Sequence, residues 1–213
     1  MNENSKKEPF SFELLLRRTF KGFLDTIAGA VNKTGILPNT VTIIGLIGTI
    51  IGAVLIGLGH VSWGGIIVLL MGPLDALDGS MARLRGDQTE FGAFVDSVTD
   101  RYTELVIFAG LMAYYSQTGE MLYMGLAYLA AAGSVMVSYT KARAEALGFT
   151  AKVGLLSRVE RYLILAPSLV FNIPWLALWI IAIFANITAL QRIWTVRKQA
   201  IEQKKILGYS SKK

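Results

Sequence analysis

Between Lys33 and Asp75 lie 41 consecutive residues without a single Asp, Glu, Lys or Arg. A helix of that length, at 1.5 Å per residue, is about twice a ~30 Å hydrocarbon core, so the stretch reads as two membrane spans joined by a hairpin. The segment from Gly57 to Gly64 interrupts it with glycines, a polar patch and the interfacial Trp63, which places the hairpin tip there. A third apolar stretch follows Gly92 to about Gln117, with Asp96, Asp100, Arg101 and Glu104 in its first half, and a fourth runs uncharged from Met121 to Thr140. The last, Tyr162 to Gln191, is 30 residues long and fits either one steep helix or two spans split at Asn172-Ile173-Pro174.

Charge asymmetry selects the split. Lys141, Arg143, Lys152, Arg158 and Arg161 precede this stretch and Arg192, Arg197, Lys198, Lys204 and Lys205 follow it, so both flanks favour the cytoplasm and the number of crossings between them is even. Six spans result, at roughly 39–59, 61–83, 92–117, 121–147, 155–172 and 174–197, with both termini cytoplasmic. The outer connections near His60, Thr118 and Asn172 then hold none of the 21 basic residues. The expected fold is an all-α, multi-pass cell-membrane protein, divided into residues 1–33, a six-span domain at 34–197 and a basic tail at 198–213.

Composition supports this and excludes other classes. With 53% hydrophobic residues, no Cys and 21 Gly without a three-residue period, the chain is not disordered, disulfide-stapled or collagen-like. The net charge of +6 is accounted for by the membrane, and no nucleic-acid partner is expected. Met1 to Glu8 is polar and charges interrupt the segment that follows, so no signal peptide is expected. The next residues read as an amphipathic helix, with Phe10, Leu14, Phe20, Phe23 and Leu24 opposite Arg17, Arg18 and Lys21. That helix lies either in the headgroup layer or against cytoplasmic parts of the protein.

The chemistry concentrates at the second hairpin. Asp75 and Asp78 are three apart at the end of the second span, and Asp96 and Asp100 are four apart at the start of the third, so each pair shares a helix face. A short turn, Leu84 to Phe91, makes the two helices antiparallel neighbours and lets the four carboxylates converge. Ionised groups in a bilayer cost about 2.5–3.5 kcal/mol each on insertion scales, so a cation must compensate. Arg83, Arg85 and Arg101 could do so. With oxygen ligands alone, Mg²⁺ or Mn²⁺ is the better match, and two such ions suit in-line displacement at phosphorus. Gly79, Ala82 and Gly92 keep bulk away from the carboxylates, and Arg83 adds a guanidinium fork suited to phosphate.

The spacing D-x2-D-G-x2-A-R-x8-G-x3-D-x3-D, present from Asp75 to Asp100, resembles the signature of the CDP-alcohol phosphotransferases. The resemblance implies transfer of a phosphatidyl group from CDP-diacylglycerol to an alcohol with release of CMP. It implies Asp75, Asp78, Asp96 and Asp100 as ligands of two Mg²⁺ or Mn²⁺ ions, Asp100 also as the catalytic base, and a homodimer. Gly79, Ala82, Arg83 and Gly92 would line the nucleotide site. Pro38-Asn39-Thr40-Val41-Thr42 is similar to a further family element, adding Asn39 and Thr42 as nucleotide contacts; either could equally cap the first span.

Several cations on the catalytic side point to an anionic acceptor. The segment from Ser138 to Glu145, followed by Glu160-Arg161, resembles the phosphatidylinositol phosphate synthase branch. That implies inositol 1-phosphate as acceptor, with its phosphate held by Ser138, Lys141, Arg161 and Arg192. The alternatives within the family are phosphatidylglycerol phosphate synthesis from glycerol 3-phosphate and an archaeal or CDP-inositol-using relative. From another class, an intramembrane cation transporter would need a polar route to the outer face, where His60 is the one candidate.

Overall fold

The computed structural model describes the backbone of residues 12–206 and the side chains of residues 21–203. Seven helices run α1 (Phe12–Lys33), α2 (Pro38–Gly57), α3 (Val61–Arg85), α4 (Glu90–Gln117), α5 (Met121–Ala146), α6 (Arg158–Val170) and α7 (Pro174–Ile206), with no strand among the described residues. Their ends follow local chemistry. Pro38 opens α2, where its missing N–H is of no consequence. The left-handed Gly86 (φ 69°) closes α3, and Asp87 donates its N–H back to the Ala82 carbonyl. Thr89 caps α4 by accepting the Gly92 N–H at 3.0 Å. Between α6 and α7 the chain turns on Asn172, the one non-glycine residue of positive φ (58°) among those described, and Pro174 restarts the helix.

Helices occupy all six expected span positions, but only α2, α3, α5 and Pro174–Gln203 of α7 are both long and apolar enough to cross a membrane. α4 is long enough at 28 residues, yet Glu90, Asp96, Asp100, Arg101 and Glu104 interrupt its first half. α6 has 13 residues, about 20 Å, because the chain stays non-helical until Ser157 rather than entering the helix at 155. α7 extends past the expected end at 197 to Ile206.

α2 is the central strut. It packs against both α3 and α4, while α3 and α4 make little direct contact along their lengths. The expected antiparallel packing of α3 on α4 is therefore corrected: α2 lies against both, and the aspartates meet across the space between α3 and α4. α5 and α7 form a second pair, joined to the first through α4 and through α6, which packs on both α3 and α7. Phe108, Leu111, Ile56, Val68, Leu169, Leu178 and Ile181 fill the centre. These buried side chains are apolar, whereas a cation pathway would need polar groups along a route toward the outer face. Outward, Ile43, Ile47, Ile50, Ile51 and Val54 of α2 are exposed, as expected of a surface that meets lipid.

The second half of α1 packs on the protein. Ala28 is buried with Val41, Leu77 and Met81. Asn32 donates to the Met81 carbonyl (3.2 Å), and Arg85 grips the Asn32 side chain (2.7 Å) and the Ile36 carbonyl (2.7 Å). Phe23 is exposed. Phe10 and the side chains of Leu14, Arg17, Arg18 and Phe20 lie outside the described residues, as do residues 207–213 of the tail.

Close helix contacts depend on missing side chains. A Cβ on Gly65 would lie 2.6 Å from the Leu169 and Val170 backbone, so α3 and α6 touch backbone to backbone there. Gly65→Val is expected to force them apart and cost about 1–3 kcal/mol. The check is thermal unfolding in detergent, with Gly125→Ala as control, because a Cβ on Gly125 meets nothing within 4 Å.

Candidate active site

The site begins at a break in α3. Pro73 has no N–H to offer the Leu69 carbonyl one turn earlier, and the Tyr162 hydroxyl of α6 takes that place, 2.9 Å from Leu69 O and 3.0 Å from Val68 O. A side chain on Gly72 would collide with the Tyr162 ring, so glycine is required for this docking. The start of α6 is thereby fixed beside the next turn of α3, which carries Asp75. A capping box holds the same end: Ser157 N–H donates to the Glu160 carboxylate at 2.5 Å.

One carboxylate oxygen from each of Asp75, Asp96 and Asp100 lies within 4.8 Å of the others. α3 and α4 thus deliver three of the four predicted aspartates to one point. Asp78, also buried, accepts a hydrogen bond from the Thr42 hydroxyl of α2. Asp75 and Asp100 share a guanidinium. Arg158, the first residue of α6, donates to both Asp75 oxygens at 2.9 and 3.1 Å and lies 2.6 Å from Asp100 Oδ2. Asp100 Oδ1 is buried and has no hydrogen-bond partner among the described residues. A cluster of hard oxygen donors with one acceptor left bare is chemistry that fits a divalent ion.

The expected nucleotide residues border this point. Asn39 of α2 faces Gly92 of α4: a Cβ on Gly92 would lie 3.6 Å from Asn39 Oδ1 and 3.1 Å from Thr89 Oγ1. A Cβ on Gly79 would meet only Arg83 Nη1, at 3.4 Å, so the face beside Asp78 is open. Arg83 is exposed and tied to Ser80 at 2.7 Å, with Ala82 half-buried next to it.

The expected acceptor residues divide into two groups. On α5, Ser138 is half-buried and Lys141 exposed. Arg161 of α6 and Arg192 of α7 are buried and already engaged by the protein. Arg161 forms a two-pronged pair with Glu104, at 2.6 and 3.0 Å, and donates to Leu156 O. Arg192 donates to Val137 O at 2.5 Å and Val153 O at 2.9 Å, with no carboxylate within 4.0 Å among the described residues. Both therefore hold the loop between α5 and α6. Thr188 of α7 holds it as well, its hydroxyl accepting the Leu155 and Leu156 N–H groups at 3.1 and 3.3 Å.

Sequence reasoning missed Glu104, Thr188 and the central place of Arg158. Glu104 carried a signal: it lies four residues beyond Asp100, on the same helix face, and an acid in a span needs a cation. Arg158 and Arg161 likewise share a face, one for each acid.

Comparison with known proteins bears on the family and the fold. The chain is 37% identical over 193 residues to the phosphatidylinositol phosphate synthase of Mycobacteroides abscessus, covering 86% of this chain and 88% of that one. It is 34% identical over 185 residues to the archaetidylinositol phosphate synthase of Pyrococcus horikoshii, with 86% and 96% covered. The crystal structure of Mycobacterium tuberculosis phosphatidylinositol phosphate synthase with CDP-DAG bound superposes with a TM-score of 0.75 at 30% identity, over 81% of this chain and 92% of that one. The same enzyme in complex with manganese and citrate gives 0.76 at 30% identity, over 81% and 88%. Residues 35–191 match the family described as CDP-alcohol phosphatidyltransferase, and the chain belongs to that family.

Proposed function

We propose that the protein transfers the phosphatidyl group of CDP-diacylglycerol to a phosphorylated alcohol, inositol 1-phosphate, giving phosphatidylinositol phosphate and CMP. The observation that carries this reading is the placement of the Asp75, Asp96 and Asp100 cluster at the same end of the bundle as two buried arginines, one of them without a carboxylate partner. Several relatives of 33–37% identity are phosphatidylinositol phosphate synthases, and a relative of similar fold binds CDP-DAG, which supports the same donor and acceptor here.

In this reading Asp75, Asp78, Asp96 and Asp100 hold two Mg²⁺ or Mn²⁺ ions, and a relative in complex with manganese supports the choice of metal. Bound there, the ions supply positive charge against the diphosphate and the departing CMP. The remaining work falls to the chain. Asp100 takes the proton of the acceptor hydroxyl on Oδ1, the oxygen that no donor occupies, as that hydroxyl attacks the β-phosphorus and the bond to CMP breaks. Arg83 reaches the diphosphate from the open face beside Gly79, while Ala82 and Gly92 leave room for the nucleotide and Asn39 and Thr42 contact it. Arg161 uses three of its five N–H groups and Arg192 two, so each retains donors for the acceptor phosphate, alongside Ser138 and Lys141.

α2 to α7 are read as the six crossings, with α6 spanning only part of the bilayer. The distribution of basic residues supports a site and both termini on the cytoplasmic face, where acyl chains would stay in lipid and the water-soluble acceptor would enter from solution. Residues 34–197 form the catalytic domain, with 1–33 and 198–213 as its flanking segments.

The test is incubation of purified protein with CDP-diacylglycerol, Mg²⁺ and a competing mixture of inositol 1-phosphate and glycerol 3-phosphate, with the lipid product identified. Phosphatidylglycerol phosphate as the main product would replace this acceptor assignment. Asp100→Asn is expected to abolish CMP release while the protein still inserts and binds donor; normal turnover would remove Asp100 as base. Arg192→Gln is expected to raise KM for the acceptor about 10- to 100-fold, the loss of one charge-assisted contact, and to change KM for the donor little. Equal effects on both would make Arg192 a loop clamp only.

A further inference from the structure

Among the described side chains, Arg158 is the one cation seated on the aspartate cluster: Arg161 pairs with Glu104, Arg83 with Ser80, and Arg101 with the Ser97 carbonyl. Its fork engages Oδ1 and Oδ2 of Asp75 and Oδ2 of Asp100, leaving Asp100 Oδ1 alone. Both Asp75 oxygens are thus engaged, so whichever of them a divalent ion took at this cluster would be shared with the guanidinium. An oxygen lone pair directed at a guanidinium N–H is not available to a metal, and two cations on one carboxylate repel.

The arrangement is built rather than incidental. The Arg158 backbone is held by the Ser157–Glu160 capping box and by Tyr162, one turn on, locked to the carbonyl that Pro73 frees in α3. The Arg158 side chain is 38% exposed, in contrast to 1% for Arg161. A fixed backbone and a long, partly solvated side chain let the guanidinium leave the carboxylates without disturbing the fold.

We propose that Arg158 is a positioning residue that gathers Asp75 and Asp100 and competes with the divalent ion for them, so that its charge sets the metal affinity of the site. On exchange the guanidinium swings off the carboxylates while staying beside the cluster, where the donor's diphosphate is the anion available to it. This rests on the metal reading given above.

The experiment measures Mn²⁺ binding to the full-length protein in detergent, after chelation, from the free-ion EPR signal. Arg158→Gln is expected to bind Mn²⁺ at least tenfold more tightly than the wild type. Arg158→Lys, which keeps the charge but loses the fork, should fall between the two. The Gln variant should also unfold at lower temperature in chelator and gain more from Mn²⁺ than the wild type does. In the unmodified protein, Mg²⁺ should shift the Arg158 Nε–H resonance. Unchanged or weaker Mn²⁺ affinity in both variants, or an unmoved resonance in the Mg²⁺-loaded protein, overturns the proposal and leaves Arg158 as a structural ion pair. Failure of the wild type to bind Mn²⁺ at all would instead bring down the metal reading on which it stands.

Discussion

Three carboxylates that converge within 4.8 Å of one another, at the end of a bundle otherwise built from Ile, Leu, Val and Ala, are the constraint around which this molecule is organised. Like charges at such spacing repel, and the low dielectric of a membrane bundle screens that repulsion poorly. Much of the surrounding structure can be read as an answer. Pro73 frees a carbonyl, Tyr162 uses it to dock α6, and α6 thereby presents Arg158 to Asp75 and Asp100. Gly65 and Gly72 exist to let that helix come close enough. The fourth aspartate is accommodated differently, by the hydroxyl of Thr42 on the helix that packs against both α3 and α4.

The parts legible in the sequence are those encoded by local spacing. Charge-free runs located the helices, and the segment from Gly57 to Gly64 and Asn172 with Pro174 marked turns that the chain does make. The three- and four-residue separations of the aspartates placed each pair on one face. What local spacing does not encode is which helix fills the space beside another. The short turn read from Leu84 to Phe91 suggested direct packing of α3 on α4, yet the apolar α2 packs against both. The length of α6 was hidden for a similar reason. Residues 147–157 are held in an extended path by Thr188, Arg192 and Gln199 of α7, donors and acceptors more than 30 residues away that compete with helix formation from outside the segment.

The pairing of arginines with acids was hidden too, although every participant could be seen. Arg158 and Asp75 are 83 residues apart, and Arg161 and Glu104 are 57 apart. From sequence, Arg158 and Arg161 belong to one group of cations near one face of the membrane. The fold separates them sharply: they are one helical turn apart, but one lies on the aspartate cluster and the other is sealed against α4.

Charge count at the second of these positions bears on acceptor recognition. Arg161 is almost fully buried, and a bidentate carboxylate already balances it, so its field at a distance is small and its main product is an ordered loop at Leu156. Arg192 is also buried but donates only to carbonyls, which take two of its five N–H groups without cancelling its charge. A buried cation of that kind is costly unless an anion arrives. Under the proposed acceptor assignment, Arg192 would therefore supply the larger part of the attraction to the phosphate, while Arg161 and Glu104 would supply the rigid wall beside the loop.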